Sequence, residues 1–256
     1  MSSDVFSALI GALVGAFVTG IFSWWIQKVE QNRSKREELR NITMQLIELR
    51  DKFNNEISAL PDASKREAAS ISLNNKRQIY LEAAINITEQ IPSQIASSEY
   101  TFLAFEFFAD SNFKQAEEFY KKAIRAARFP LARIIALRAL GSFYFSQSPL
   151  RNFELGRKYF KEAVDLLANP ADAYSIYTQG YSYETWGLQE LANGFELEGR
   201  SKIDSARKYY RDLPNNYLLK APALEVLETK MRQATTNSTF PASTSGADTA
   251  ASSYTQ

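Results

Sequence analysis

The chain has 256 residues, a formal net charge of +1, and neither cysteine nor histidine. These absences exclude disulfide bonds, metal sites built on imidazole or thiolate, and nucleophilic catalysis by Ser-His-Asp or Cys-His groups. A net charge so close to zero provides no overall field that would attract nucleic acid.

The first predicted element is a transmembrane anchor within residues 1–26. From Val5 to Ile26 the chain contains no charged residue and no proline. As a helix this stretch would be roughly 33 Å long, which is enough to cross a hydrocarbon core of about 30 Å. A cleaved signal peptide is the disfavoured alternative, because no Lys or Arg precedes the stretch and the paired Trp24 and Trp25 suit a membrane–water boundary.

The charges that flank the anchor predict its orientation. No basic residue precedes the stretch, whereas five follow it closely: Lys28, Arg33, Lys35, Arg36 and Arg40. The side rich in Lys and Arg usually stays in the cytoplasm. We therefore expect a single-pass protein with its N-terminus outside and its larger part cytoplasmic. A bacterial inner membrane fits this anchor, and an organelle membrane of the same topology would produce the same pattern.

Small residues within the anchor predict self-association. Gly11 and Gly15 form a GxxxG pair, and such pairs let helix backbones approach closely in lipid. The pattern favours a homo-oligomer. The alternative is the general abundance of glycine and alanine in transmembrane helices.

Residues 27–92 are predicted to form a helical hairpin that serves as a stalk. A coiled-coil-like stripe steps by three and four along its first helix, at Leu39, Ile42, Leu46, Leu49 and Phe53. Pro61 ends this helix, and a second helix is expected from Ser64, with capping-box spacing to Glu67, as far as Pro92. An oligomerising coiled coil is the alternative role.

Two segments that follow the stalk resemble each other. Residues 112–124 align without a gap with residues 152–164, and the matched positions include small residues, aromatic pairs and an alanine. Each segment follows a predicted helix that carries a leucine, a small residue and then an aromatic residue. Such a unit cannot bury its apolar face alone and must stack on its neighbours.

This pattern resembles the tetratricopeptide repeat (TPR), in which two antiparallel helices each carry a small residue beside aromatic residues. The first unit matches through Ala104, Phe107, Ala116, Tyr120 and Ala123. The second matches through Gly141, Tyr144, Gly156, Phe160 and Ala163, after a longer turn. A weaker third unit is expected through Gly180, Tyr183, Gly199, Ile203 and Ala206, with Asn169-Pro170 as its helix start.

The resemblance covers roughly residues 94–212 and implies an all-α fold. We expect a TPR-like α-solenoid of about three helix pairs within residues 93–232, closed by a capping helix from Tyr217 to about Arg232. The tail, residues 233–256, is predicted to be disordered. From Ala234 onward, 11 residues are Ser or Thr and Asp248 is the only charged side chain, so the tail cannot bury enough apolar surface to offset its chain entropy.

No catalytic, cofactor-binding or metal-binding motif is visible. The chain contains no glycine-rich phosphate loop, no GxSxG and no HExxH. Acid pairs such as Glu117-Glu118 are expected on solvated helix surfaces. We therefore predict that the protein is not an enzyme and needs no cofactor.

The resemblance implies a concave groove lined by the first helix of each pair. Its register places seven candidate partner-binding residues there: Phe105, Phe108, Arg138, Phe145, Tyr174, Tyr177 and Tyr181. Aromatic rings with an arginine suit an extended peptide or a partner helix. The alternative is that these rings pack between units. The family's Lys and Asn arrangement for carboxylate binding is not visible.

A second candidate surface is basic. Between residues 121 and 151 there is no acidic residue, and the patch is formed by Lys121, Lys122, Arg125, Arg128 and Arg133. It could contact anionic lipid or an acidic partner, although a solvated charge run is the alternative. Nucleic acid is not expected, because no recognised binding module accompanies these cations.

Together these features predict a membrane-tethered scaffold that helps to assemble or localise a complex. Its expected partners are a protein or peptide in the groove, the lipid bilayer and further copies of the chain. The alternative is a membrane effector whose transmembrane helices oligomerise when the repeat domain senses a signal.

Overall fold

The computed structural model describes the backbone of residues 3–57, 59–167 and 170–238, and the side chains of residues 24–57, 59–167 and 170–233. Every regular element within these residues is a helix, which confirms the all-α fold class. The chain divides into two compact units, Met1–Ala126 and Ala127–Gln256. They are called the first and the second unit below.

The first unit begins with a helical hairpin. Helix α1 (Ser3–Lys52) ends in a π-helical turn at Phe53–Ile57, and α2 (Ala63–Gln90) packs back against α1. Leu39, Ile42 and Leu46 of the predicted stripe are buried. The cap of α2 differs from the expected one. Asp62 caps this helix, and its carboxylate accepts hydrogen bonds from the backbone N–H groups of Ser64 and Lys65.

No helix in the described part of the chain is long and apolar enough to cross a membrane. The predicted anchor falls largely on residues 1–23, whose side chains lie outside the described residues. Gly11 and Gly15 belong to this stretch. The anchor and its self-association therefore stay predictions.

A helix pair completes the first unit. A 3₁₀ turn (Pro92–Gln94) leads into α3 (Ser97–Ala109), which packs on α4 (Phe113–Ala126). Ala104 and Ala116, the small residues of the first predicted repeat, are fully buried. Phe107 packs edge-on against Phe119, with 5.0 Å between the ring centroids. The pair thus buries its small and aromatic positions together, as the repeat pattern predicts.

The described part of the second unit contains five helices: α5 (Pro130–Phe145), α6 (Phe153–Asp165), α7 (Ala173–Ala192), α8 (Glu196–Asp212) and α9 (Lys220–Ser238). Helix α5 pairs with α6, and α7 pairs with α8. Helix α7 also contacts α5 and α6, while α9 packs against α7 and α8. Leu227 of α9 is fully buried in a cluster with Ile203, Ala206 and Tyr210.

The third helix pair has a different register from the one predicted. A Cβ atom placed on Gly187 would lie 2.9 Å from the carbonyl oxygen of Gly199, and one on Gly199 would lie 3.0 Å from that of Gly187. These two glycines therefore mark the close approach of α7 and α8. Gly180 instead packs against the ring of Tyr210. Gly187 and Gly199 are twelve positions apart, as are Ala104 and Ala116.

Two further predictions concern the ends of the repeat region. Asn169 lies outside the described residues, and α7 begins after Asp172, whose carboxylate accepts a 2.9 Å hydrogen bond from the backbone N–H of Ser175. The predicted capping helix is present as α9 and begins at Lys220 rather than Tyr217. In the predicted disordered tail, residues 239–256 lie outside the described residues.

Candidate protein-binding groove

Three tyrosines lie along one face of α7. Tyr174, Tyr177 and Tyr181 are three and four residues apart, and this spacing places side chains on the same side of a helix. Tyr174 is 53% exposed and Tyr181 is 36% exposed, while Tyr177 is half-buried. Large aromatic side chains with this exposure are available for contact with a partner.

Helix α9 forms the opposite side of the same surface. A pocket of about 130 Å³ lies between the two helices. Its lining residues are Tyr177, Tyr181, Glu184, Tyr210, Leu219, Pro222, Ala223, Val226 and Lys230. This pocket together with Tyr174 is called the tyrosine groove below. Because Leu227 fixes α9 in the core, the adjacent Val226 is directed outward and is partly exposed.

A buried carboxylate forms the floor of the tyrosine groove. The Tyr210 hydroxyl donates a 2.6 Å hydrogen bond to Oε2 of Glu184, and the Lys230 ammonium donates a 2.8 Å hydrogen bond to Oε1. Burial raises the pKa of Tyr210, and the hydrogen bond to Glu184 raises it further. Burial lowers the pKa of Lys230, but its bond with Glu184 more than offsets this and leaves that pKa raised. Both oxygens of Glu184 are therefore occupied within the protein.

The ring of Tyr181 lies beneath a cation from another helix. The guanidinium carbon of Arg138 on α5 is 4.4 Å from its centroid. Tyr177 is parallel to Tyr181 at 6.3 Å between centroids and also packs near Tyr210 and Tyr217. Burial lowers the pKa of Arg138. A guanidinium stays protonated despite such a shift, so the groove has a permanent positive charge at this edge.

The structure therefore brings Arg138, Tyr177 and Tyr181 together, with Tyr174 on the same face of α7. It does not bring Phe145 to this surface. Phe145 is only 1% exposed, and its ring packs against Gly156 and near Phe160. The placement of Phe145 among the groove residues is thus wrong, because Gly156 has no Cβ and the ring of Phe145 fills the space beside it.

The other two predicted groove residues belong to the first unit. Phe105 is exposed on α3, and the guanidinium carbon of Arg50 lies 6.0 Å from its ring centroid. Phe108 is half-buried and packs edge-on against Phe113, with 5.8 Å between the ring centroids.

The basic patch is more neutral than its sequence indicates. Lys121 pairs with Glu117 at 2.6 Å, and Lys122 pairs with Glu118 at 2.8 Å. Arg133 pairs with Glu162 of α6, while Arg125 and Arg128 are exposed. The acids lie outside residues 121–151, so the absence of acids within that window overstates the net charge. The patch also crosses the boundary between the two units, so it is not a surface of one unit.

Sequence reasoning missed several buried carboxylates. Glu106 accepts hydrogen bonds from Arg77 and Arg50, and Glu190 accepts two from Arg157 and one from the indole N–H of Trp186. The one feature of the sequence that could have indicated these buried carboxylates is the presence of an acidic residue on an otherwise apolar helix face. Among the described residues, no group of three or more His, Cys, Asp or Glu side chains is placed to hold a metal ion.

Comparison with known proteins supplies no relative. No protein-family model matches the chain, and no curated protein or solved structure is significantly similar to it.

Proposed function

We propose that this protein is a membrane-tethered scaffold that binds protein segments in the tyrosine groove and is not itself an enzyme. The observation that supports this most directly is the set of partly exposed rings of Tyr174, Tyr177 and Tyr181 on one face of α7, opposite the exposed Val226 of α9. Tyrosine is enriched at binding hot spots because it offers a large apolar area with a polar end. A groove between helices is a common site for an extended peptide or a helix.

The proposed mechanism is tethering. A transmembrane anchor in residues 5–26 would confine the groove to the membrane surface and raise the local concentration of whatever it holds. Within the second unit, the TPR-like pairing of α5 with α6 and of α7 with α8 supports a role in protein binding rather than catalysis, since neighbouring helix pairs of this kind expose extended surfaces. The partner would be a subunit of a complex assembled or localised at the membrane.

The test is recovery of partners with the full chain from native membranes. The double change Tyr174→Ala and Tyr181→Ala removes two exposed rings without opening the core. We expect it to reduce partner recovery by about tenfold or more, in line with the loss of two hot-spot aromatics. The matched control is Leu197→Ala on α8, because Leu197 is 83% exposed and does not line the groove.

Quantitative mass spectrometry of the co-purified proteins gives the readout. The proposal requires a partner whose recovery falls in the tyrosine variant and stays unchanged in the Leu197→Ala control. Equal recovery with all three proteins would exclude the tyrosine groove as the binding site. The alternative role as an oligomerising effector requires instead that Gly11→Leu with Gly15→Leu abolishes the cellular phenotype while partner recovery persists.

A further inference from the structure

Arg138 is a half-buried cation with no carboxylate within ion-pair distance among the described residues. It contacts the ring of Tyr181 and forms neither an ion pair nor a hydrogen bond with another described side chain. The other half-buried arginines in the described part of the second unit are both paired. Arg157 pairs with Glu190 and Arg207 with Glu228, each at 2.8 Å. Arg138 is therefore the exception among the described half-buried arginines of the second unit.

The carboxylate of Glu184, which lies beneath the tyrosines, does not form an ion pair with Arg138. Glu184 is held by the Lys230 ammonium and the Tyr210 hydroxyl, and its side chain is almost fully buried. Burial lowers the pKa of Arg138, and the attraction of the nearby tyrosines and of Glu184 offsets this only in part, so the charged form of the guanidinium is poorly stabilised by its surroundings. Buried charges in proteins are normally paired, and an aromatic face is a weaker partner than a carboxylate. The groove thus has an unsatisfied positive site next to an apolar surface.

We infer that Arg138 binds a carboxylate of the protein segment that occupies the tyrosine groove. This inference rests on the proposed function and adds the chemistry of the ligand. The segment would place apolar side chains against Tyr177, Tyr181 and Val226 and an Asp, a Glu or a chain-terminal carboxylate on the guanidinium. The planar fork of arginine suits a carboxylate in a bidentate arrangement.

Charge balance favours a carboxylate over a phosphate. A phosphate group carries nearly two negative charges and is usually bound by a cluster of arginines. Here Arg138 is the one uncommitted cation of the groove among the described residues, because Lys230 is bound to Glu184. A single negative charge matches this site.

Peptide selection on the full-length chain, purified in detergent, tests the inference. A displayed library of random peptides is selected against the natural protein, Arg138→Gln and the control Arg133→Gln. Arg133 lies on the same helix, is exposed and pairs with Glu162, so the control removes an equal charge elsewhere on α5. Circular dichroism checks that each variant keeps its helices.

The natural protein should enrich peptides that combine apolar residues with one carboxylate. We expect Arg138→Gln to weaken binding of such a peptide by roughly tenfold or more, because charge-assisted hydrogen bonds contribute at about this level. Arg133→Gln should change the affinity by less than about twofold, and Arg138→Lys should restore part of it. Replacing the acid of the peptide by its amide should weaken binding to the natural protein but not further weaken binding to Arg138→Gln.

The peptide change leaves the protein untouched, so it tests the contact even if Arg138→Gln folds poorly. Comparing peptides with free and amidated C-termini separates a chain-terminal carboxylate from a side-chain carboxylate. If selected peptides depend on Tyr181 but bind equally to Arg138→Gln, the inference is wrong and the proposed function stands. If no selected peptide depends on Tyr181, both the inference and the proposed groove fail.

Discussion

At the scale of single residues, the interior contains charged side chains among the apolar ones. Glu106 on α3 is 1% exposed and lies between Arg77 of α2 and Arg50 of α1. Arg77 also donates to the backbone carbonyl of Glu106 and pairs with Asp110. This network joins the hairpin to the first helix pair at a defined position. Buried ion pairs contribute to the specificity of packing in some proteins, and Glu106 fits that role here.

Removing the carboxylate of Glu106 should destabilise the first unit. In Glu106→Gln, Arg77 would lose its main anionic partner while staying mostly buried. We expect a loss of about 2–4 kcal/mol in the free energy of unfolding, measured by denaturant titration with hydrogen exchange at α3. The control Glu118→Gln breaks a partly exposed pair with Lys122 and should cost less than about 0.5 kcal/mol. Equal effects of the two changes would show that the network contributes no more than a surface pair.

At the scale of helices, the repeat pattern predicted the pairs but misplaced one crossing. The sequence pattern places the crossing of the third pair at Gly180, whereas α7 and α8 approach each other at Gly187 and Gly199. The two candidate glycines of α7 are seven residues apart, which is about two helical turns. A shift of two turns keeps the same face of the helix toward the same side. Tyr174, Tyr177 and Tyr181 therefore lie on one accessible face of α7, as predicted, although the predicted crossing point of α7 and α8 is wrong.

Helix α9 determines whether the tyrosine groove has a second side. Leu227 is fully buried, whereas its neighbour Val226 is 46% exposed. We expect Leu227→Ala to cost about 2–5 kcal/mol, because it leaves a cavity against Ile203 and Tyr210. Val226→Ala should cost less than about 1 kcal/mol, since little buried area is lost.

Thermal unfolding measures the loss of stability in each of the two variants, and hydrogen exchange at the α9 amides measures how firmly α9 is held. Leu227→Ala should increase exchange along α9 and weaken binding of any groove ligand. Val226→Ala should leave exchange unchanged and affect only the contact with the ligand. Similar protection of α9 in all three proteins would mean that α9 is held by contacts other than Leu227.

At the scale of the whole molecule, the proposed scaffold depends on the N-terminal stretch. The residues from Val5 to Ile26 form an uncharged segment long enough for a bilayer, and the basic residues that follow predict its orientation. The groove can act as a tether only if this stretch remains attached and inserted. Membrane attachment and partner binding are therefore separate requirements that can be tested independently.

A charge within the predicted anchor should release the protein from the membrane. Val14→Arg places a cation near the middle of the stretch, which costs about 2.5–3.5 kcal/mol on insertion scales. We expect the natural chain to stay in the membrane pellet after an alkaline carbonate wash and a substantial fraction of Val14→Arg to move to the supernatant. The control Asn32→Arg adds the same charge beyond the stretch and should stay in the pellet. Extraction of the natural chain by the wash would contradict the anchor.

The sequence by itself determined the all-α class, the position of most helices and the pairing of small with aromatic residues. These depend on local spacing, because residues three and four apart share a helix face and prolines end helices near their own positions. It also identified Arg138 and the tyrosines of α7 as candidates for one surface.

Only the tertiary structure decided which side chains that are distant in sequence come into contact. Glu106 finds its arginines 29 and 56 residues away, and Glu184 finds Lys230 46 residues away. Periodicity carries no information about such contacts, since they depend on how helices pack. For the same reason, packing alone buried Phe145, paired Arg133 with Glu162 and left Arg138 above Tyr181 without an ion pair.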